Sequence, residues 1–300
     1  MERAGLSDAA AVTEVVAALE SSHYGRSDLS QADLEQEWAR LDLDRDAWVV
    51  RDGGVVGYGA VRERGDTWEV EGYVHPRALG RGIGTLIAAR LEEEAASGGA
   101  QRIHNSVLEA DSAARALLES LGYTAVRVFR EMRIELDGPP PPPVWPDGLR
   151  VVAIDPERDA HAFHAAHQEA FADHWGFTPR DFDAWAESTL RSERFDPRLW
   201  CVVRDGDEIA AGAISTADTY GGGFVQSLFT RRSWRRRGVG EALLRDAFTR
   251  FWERGERSIG LGVDAAGDTG AFRLYERAGM RPALGWVIYE KMLGGRQRRD

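Results

Sequence analysis

The sequence predicts an α/β protein of two tandem domains, each a mixed, mainly antiparallel sheet flanked by helices. Three observations predict it. The glycine-rich turn Leu79-Gly80-Arg81-Gly82-Ile83-Gly84 returns as Arg235-Arg236-Arg237-Gly238-Val239-Gly240. The helix-like segment Ala114 to Tyr123 returns as Ala271 to Met280 at nearly the same offset. Between the copies lie Asp137-Gly138 and five consecutive prolines, Pro139 to Pro143. A turn and a helix repeated in order mean duplication, and a repeat this long is a domain rather than a solenoid unit. Consecutive prolines cannot sit inside a helix or a central strand and favour a stiff spacer. The expected boundaries are a first domain at 1–137, a linker at 138–147 and a second domain at 148–300.

In the first half, Ser7-Asp8 reads as a helix cap, with helices expected at about 8–20 and 30–41. Little chain precedes that cap, so any opening strand is short. Strands follow near 46–51, 54–62 and 67–74, separated by turn signals such as Asp52-Gly53-Gly54. The glycine turn leads into a helix over 80–97, whose apolar positions Ile83, Leu86, Ile87 and Leu91 recur at helical spacing. A strand near 101–107, a helix at 111–121 and two closing strands within 123–136 complete the half.

The second half repeats this order with a fuller start. Leu149 to Ile154 reads as a strand, and helices are expected from Pro156 to about Asp173 and from Pro179 to about Arg191. Strands near 199–204, 208–216 and 223–230 precede the second glycine turn, Asp205-Gly206-Asp207 being a hairpin signal. A helix over 238–254, a strand at 257–263, a helix at 269–278 and strands at 281–285 and 287–292 finish the chain.

Composition narrows the function classes. Three hundred residues, 43% of them hydrophobic, suffice for two cored domains. The lone Cys201 excludes an intramolecular disulfide and multi-thiolate metal sites, which fits a reducing cytoplasm. No leader-like segment opens the chain and no run of about 18 apolar residues occurs, so neither secretion nor membrane spanning is expected. A formal net charge of −11 argues against general nucleic-acid binding. A monomer or homodimer acting on a small molecule is expected. No metal is expected either: His161, His164 and His167 drift across a helix face and no carboxylate completes a cage. Phe171, Trp175, Phe177, Phe182 and Trp185 read mainly as core, and Cys201 as packing within a strand.

The glycine turns carry the chemistry. Each follows an extended apolar run, Trp68 to Val74 or Phe224 to Thr230, and opens an amphipathic helix. Glycine permits the tight turn and a close approach of backbone to ligand. Free N–H groups and the dipole at a helix start attract an anion, and the second turn adds three arginines. A pyrophosphate is the expected ligand. No P-loop sequence occurs, and several strands precede each turn, unlike a dinucleotide fingerprint after a first strand.

Arg235 to Gly240 meets the (Arg/Gln)-x-x-Gly-x-(Gly/Ala) turn of the GCN5-related N-acetyltransferase (GNAT) superfamily, and Ala271-x-x-Leu274-Tyr275-x-x-x-Gly279 matches that family's later helix. With two copies in one chain, the sequence resembles the tandem, two-domain type of this superfamily, of which mycothiol synthase is one; the resemblance spans nearly the whole length. It implies acetyl-CoA. The pyrophosphate is then expected on the turn and first helical amides, through Arg235, Arg236, Arg237, Gly238, Val239, Gly240, Glu241 and Ala242. The pantetheine arm is expected along Leu228, Phe229 and Thr230, with an amide near Phe229 holding the thioester oxygen. Asp268, beside Gly267, stands near the place of a frequent family asparagine.

By the same resemblance, Tyr275 is the candidate acid for the departing thiolate. The first half offers a second possible site at Tyr73, Val74, Gly80, Arg81, Gly82, Ile83, Gly84 and Thr85. Leu118 stands where the second half has Tyr275, and Leu79 where it has Arg235, so the first domain is expected to bind CoA at most, without efficient turnover. The general base stays open. Phe224 to Thr230 contains no carboxylate, leaving His174, Asp173, Asp218 or a chain of waters. The expected activity is acetyl transfer to a primary amine of a small molecule by direct attack, in the C-terminal domain. Acetylation of a protein amine, or a non-catalytic acyl-CoA sensor, are the alternatives.

Overall fold

The computed structural model describes every residue except Asp28, Ala266, Asp268, Thr269 and 294–300. In chain order the first half gives β1 (Glu2–Arg3), α1 (Ala9–Tyr24), α2 (Gln31–Trp38), α3 (Leu43–Asp46), β2 (Ala47–Arg51), β3 (Val55–Arg62), β4 (Thr67–Val74), α4 (Ile83–Ser97), β5 (Arg102–Leu108), α5 (Ser112–Ser120) and β6 (Thr124–Glu135). The rest gives β7 (Leu149–Ala153), α6 (Pro156–Phe171), α7 (Phe182–Ser188), β8 (Cys201–Asp205), β9 (Glu208–Thr219), β10 (Gly222–Thr230), α8 (Val239–Arg254), β11 (Ser258–Asp264), α9 (Ala271–Arg277) and β12 (Arg281–Met292).

These elements form two compact units that do not divide at the proline run. One comprises Met1–Arg130 together with the chain from Ala283 onward; the other is Glu131–Pro282. The expected boundary at 137–148 is thus corrected, for a reason that lies in strand pairing. Trp286 to Met292 of β12 pairs antiparallel with β5, so the last strand of the chain completes the first unit. Conversely, Met132 and Leu136 lie in the core of the second unit, and the Leu136 amide donates to the Arg257 carbonyl at 2.7 Å. Each unit takes a closing segment from the other half of the sequence.

In the first unit the strand order is β1-β2-β3-β4-β5-β12. Only β4 and β5 run parallel among the strand pairs from β1 to β12. Alternation along the strands sends Val49, Tyr58 and Ala60 to the α1 side and Trp48, Val50 and Val61 to the α4 side. Gly59 lets α4 lie close: a Cβ there would sit 2.6 Å from Ile87. In the second unit β7 to β11 repeat the pattern, with β10 and β11 parallel. Phe163 of α6 packs on Trp200 and Phe229 on one face, while Val239 and Leu243 of α8 pack on Cys201, Val203 and Ala211 on the other.

Several local expectations are corrected. Asp8 precedes α1 but its side chain does not cap it, because the carboxylate accepts instead from the Gly5 amide at 3.1 Å and Arg51 at 2.7 Å. The closing segments read as strand pairs are single twelve-residue strands, β6 and β12. Thr124 to Glu135 holds no glycine or proline to turn the chain. Gly285 lies inside β12 where the Glu109 side chain comes close, its Cβ 3.1 Å from where a Cβ of residue 285 would sit, and the Gly285 carbonyl accepts from the Glu109 amide at 2.7 Å. Helix α7 covers 182–188 rather than 179–191; it starts where Asp181 caps the Ala184 amide at 2.8 Å and stops where Thr189 leaves helical geometry. The one-turn α3 was not foreseen.

Candidate active site

The second glycine turn is a left-handed hinge ahead of a long helix. Gly238 caps α8 with φ 85°, and Arg236, two residues earlier, also has positive φ, 63°. The first intrahelical bond runs from the Ala242 amide to the Gly238 carbonyl at 3.1 Å, and no side chain caps the helix start. The amides of Val239, Gly240 and Glu241 are therefore donors without an intrahelical acceptor. A Cβ on Gly238 would meet nothing within 4 Å. Arg236 and Arg237 are exposed, and neither forms an ion pair or hydrogen bond among the described residues. Such a corner fits a diphosphate, by hydrogen bonds and by charge.

Arg235 does something else. Its guanidinium donates to the Thr230 carbonyl and to the Ala170 carbonyl, both at 2.9 Å, fastening the end of β10 to the end of α6. These two bonds engage two of the five N–H donors of the guanidinium. Arg232 pairs with Asp173 and Arg231 with Glu169. The Glu241 side chain pairs with Arg245 at 3.0 Å and leaves only its amide for a ligand.

Strand β10 opens a fork behind the turn. Its parallel pairing with β11 covers Gly223 to Val225 and stops there, so Leu228, Phe229 and Thr230 lie beyond the last paired residue. The other edge of this stretch stays paired with β9, through Leu228↔Ala213, Phe229↔Gly212 and Thr230↔Ala211. One edge is thereby free to accept an extended ligand as an added strand. Helix α9 closes the end of the fork: a Cβ added at Gly240 would sit 3.3 Å from Leu274 and 3.9 Å from Thr230. Next to Leu274, Tyr275 is 8% exposed, and burial pushes its phenol up to about 12. It is thus a neutral donor at pH 7, and its hydroxyl has no hydrogen-bond partner among the described residues. Asp268 lies outside the described residues.

The first unit repeats this geometry. Gly82 caps α4 with φ 78°, and Gly80, matching Arg236, has φ 71°. The first intrahelical bond links the Leu86 amide to the Gly82 carbonyl at 3.0 Å, freeing the amides of Ile83, Gly84 and Thr85. A Cβ on Gly84 would sit 3.0 Å from Leu117 and 3.9 Å from Val74. Leu117 and Val74 thus occupy the places of Leu274 and Thr230. Pairing of β4 with β5 stops at Glu71↔Ser106, so Tyr73 and Val74 lie past the fork. A cavity of about 330 Å³ fills it, lined by Val74, Gly80, Gly82, Ile83, Gly84, Thr85 and Leu118 among others. Arg81 is drawn away to Asp52 at 2.6 Å.

Two features escaped the sequence reading. His167 belongs to the histidine series along α6, and its Nε2 lies 3.0 Å from Ser227 Oγ on β10 while its ring meets Phe229 edge-on. Burial, and then the Arg180 charge, lower it to about 4. The other is Glu71 on β4. Counting back three residues from the matched pair Val74 and Thr230 puts Glu71 opposite Ser227. The repeat of the two glycine turns in the sequence is the signal that marks this position. Burial first, and then Glu37, raise the Glu71 carboxyl to about 7, against the opposing charge of Arg62 and a hydrogen bond from Tyr58.

The other base candidates fare unevenly. Asp218 lies on β9 six residues from Gly212, the strand partner of Phe229, which is roughly 20 Å along a strand. That removes it. Asp173 is bound to Arg232. His174 is half-buried, and burial followed by the Arg235 charge lowers its pKa, leaving a neutral imidazole. His161 stacks on Phe182 and His164 meets the Arg180 carbonyl at 2.9 Å. Cys201 is fully buried, which pushes its thiol up and keeps it inert.

Two glycine turns with open helix-start amides, each behind a forked sheet, define an acyltransferase of the GNAT type. The model of the acetyltransferase (GNAT) family matches residues 13–123 and 160–280, and the chain belongs to this family, whose members use acyl-CoA. It is 29% identical to the mycothiol acetyltransferase of Thermobispora bispora over 261 residues, 81% of this chain and 82% of that protein. Among solved structures it is similar to a GCN5-related N-acetyltransferase from Sphaerobacter thermophilus, with a TM-score of 0.88 and 34% identity over 97% of this chain and 94% of that one. A tandem GNAT protein from the clavulanic acid biosynthesis pathway shares the fold, with a TM-score of 0.74 and 17% identity over 97% of each chain. Among the described residues, no helix is long and apolar enough to cross a membrane.

Proposed function

We propose that this protein is an acetyl-CoA-dependent N-acetyltransferase that acetylates a primary amine of a small molecule, with a catalytic centre in the second unit. The observation that carries this reading is the set formed by the open amides of α8, the forked edge at Leu228 to Thr230 and the neutral Tyr275 phenol beside them. The mycothiol acetyltransferase relative supports a small-molecule acceptor related to mycothiol.

In this reading the amides of Val239 to Glu241, with Arg236 and Arg237, hold the diphosphate of acetyl-CoA, and the free edge of β10 orients its arm. Acetyl-CoA supplies the thioester that the amine attacks. Tyr275 gives a proton or a hydrogen bond to the departing sulfur. No carboxylate serves as base here, because β10 carries Ser227 at that place. His167, lowered to about 4, is neutral but weakly basic. The amine therefore sheds its proton largely to solvent, and turnover climbs as pH approaches the amine's own pKa.

Amine-dependent release of the CoA thiol tests this. The Tyr275→Phe variant is expected to keep acetyl-CoA binding and to lose about 100-fold in kcat, typical of a removed general acid. Unchanged kcat would remove Tyr275 from the chemistry. Tight acetyl-CoA binding with no amine-dependent release in the unmodified protein would favour a non-catalytic sensor.

A further inference from the structure

We propose that the cavity of the first unit is a binding site for an acyl-CoA whose acyl chain is longer than acetyl and carries a hydroxyl group. The site rests on the family's use of acyl-CoA and is independent of the acetyl transfer assigned above to the second unit.

One end of the cavity has the parts that a coenzyme A arm needs. Ile83, Gly84 and Thr85, whose amides lack an intrahelical acceptor, stand there with Val74, which lies past the fork of β4 and β5. The lining continues inward along α4 through Ile87 and Ala88 to Leu91. Between Gly84 and Leu91 the helix advances about 10 Å. Leu118 adds to this apolar wall where the second unit has Tyr275.

The inner end turns polar. Alternation along β5 puts Ile103, Asn105 and Val107 on one face, and Ile103 and Val107 pack with Ile87 and Leu91 of α4. Asn105 therefore carries a carboxamide into an aliphatic wall, and it lines the cavity. It is 5% exposed, and its Oδ1 has no hydrogen-bond partner among the described residues. Tyr123, buried in the same core, has a hydroxyl in the same condition. Burial first, and then Glu92, push the Tyr123 phenol up, while Asn105 beside it works the other way. The phenol is thus a neutral O–H.

Buried polar atoms left unpaired are costly, and a ligand that pairs them gains what the free protein lacks. Asn105 lies one residue inside the last pair of β4 and β5, Glu71↔Ser106, and so behind the apex of the fork. An arm laid along the free edge of β4 ends at that apex, so the group that reaches Asn105 belongs to the acyl chain. The methyl of an acetyl group offers it no hydrogen bond. A hydroxyl both donates and accepts, so it pairs with the carboxamide in either orientation and with the phenol as well.

Charged chain ends fit worse. Asp111 is the charged residue of the lining; it caps the Ala114 amide at 2.8 Å and lies 3.6 Å from His23. Asp111 and Glu92 both repel a carboxylate at the end of the chain. An ammonium would give up its water in an aliphatic cavity whose carboxylate is already engaged. The second unit has no such polar floor. Between Val225 and Ser227, β10 holds one residue more than β9, so the pair Val225↔Leu261 answers to Val70↔Asn105. Leu261 is buried in an apolar core. The two units thereby differ in the acyl group they accept.

Calorimetry on the full chain carrying Gly238→Asp, which sets a carboxylate in front of α8, reads the first site alone. The double variant Arg236→Glu, Arg237→Glu does the same through exposed side chains should Gly238→Asp unfold the protein. The remaining site is expected to bind β-hydroxybutyryl-CoA about 10-fold or more tighter than butyryl-CoA or acetyl-CoA. Adding Asn105→Leu, which copies the second unit, should erase that preference. Tyr123→Phe, which removes a single oxygen, should reduce it and keeps the test decisive should Asn105→Leu unfold the protein. Gly82→Asp should abolish the binding that Gly238→Asp leaves. Equal affinity for the three thioesters, binding of none of them, or a preference unmoved by Asn105→Leu or Tyr123→Phe overturns the proposal. Failure of the second-unit reading shows elsewhere: the unmodified protein then releases no thiol from acetyl-CoA and amine, while these affinities stand.

Discussion

Replacing Gly238 by alanine and by aspartate separates backbone strain from electrostatics at the second turn. Gly238 has φ 85°, where any L-residue costs about 1–2 kcal/mol. No atom lies within 4 Å of an added Cβ, so neither substitution meets a clash. Alanine should therefore lose roughly 2–8 °C in Tm for a unit of this size, and aspartate less, because a carboxylate at the start of α8 is favoured by the helix dipole. Their ligand binding should differ sharply. An aspartate about 5 Å from one phosphate charge, at an effective dielectric of about 20, costs about 3 kcal/mol, or roughly 200-fold in affinity. Thermal denaturation and calorimetry with acetyl-CoA read the two effects independently. Equal acetyl-CoA affinity in the two variants would refute the placement of the diphosphate on α8.

Asp159→Asn should destabilise the second unit by about 2 kcal/mol, because Asp159 is fully buried, bonds Arg158 and Arg204, and has a carboxyl lowered from 3.8 to about 2. Folding lowers that pKa, so the contribution is complete above pH 3.8 and is lost as pH falls toward about 2; denaturant titrations across that window, with a shallower slope in the variant than in the parent, check it. Arg235→Met should raise the His174 pKa, since the Arg235 charge helps to hold it down, and should loosen β10 from α6. An NMR titration of the His174 ring that does not move would show that burial alone sets the shift.

Much of the architecture was legible because duplication is written in residues whose roles are local. Gly82 and Gly238 both take left-handed φ at a helix start, and only the backbone around them matters. Asp111, Asp155 and Asp181 cap the helices after them by bonds three residues away. The closing strands were misread for the opposite reason. Whether Arg281 to Met292 bends or runs straight depends on Glu109 and β5, far away in sequence. The fastening role of Arg235 is hidden for the same reason: its partners, the Thr230 and Ala170 carbonyls, meet only once α6 has packed on β10.

The sequence by itself determined the two turns, the helices they open and the expectation of a diphosphate ligand, since all three follow from backbone freedom and dipoles within a few residues. The tertiary structure alone decided which strand completes which unit, that Arg235 fastens β10 to α6, and that Glu71 sits where β4 leaves β5. Those outcomes depend on hydrogen bonds and desolvation between segments distant along the chain, and no local pattern encodes a distant partner.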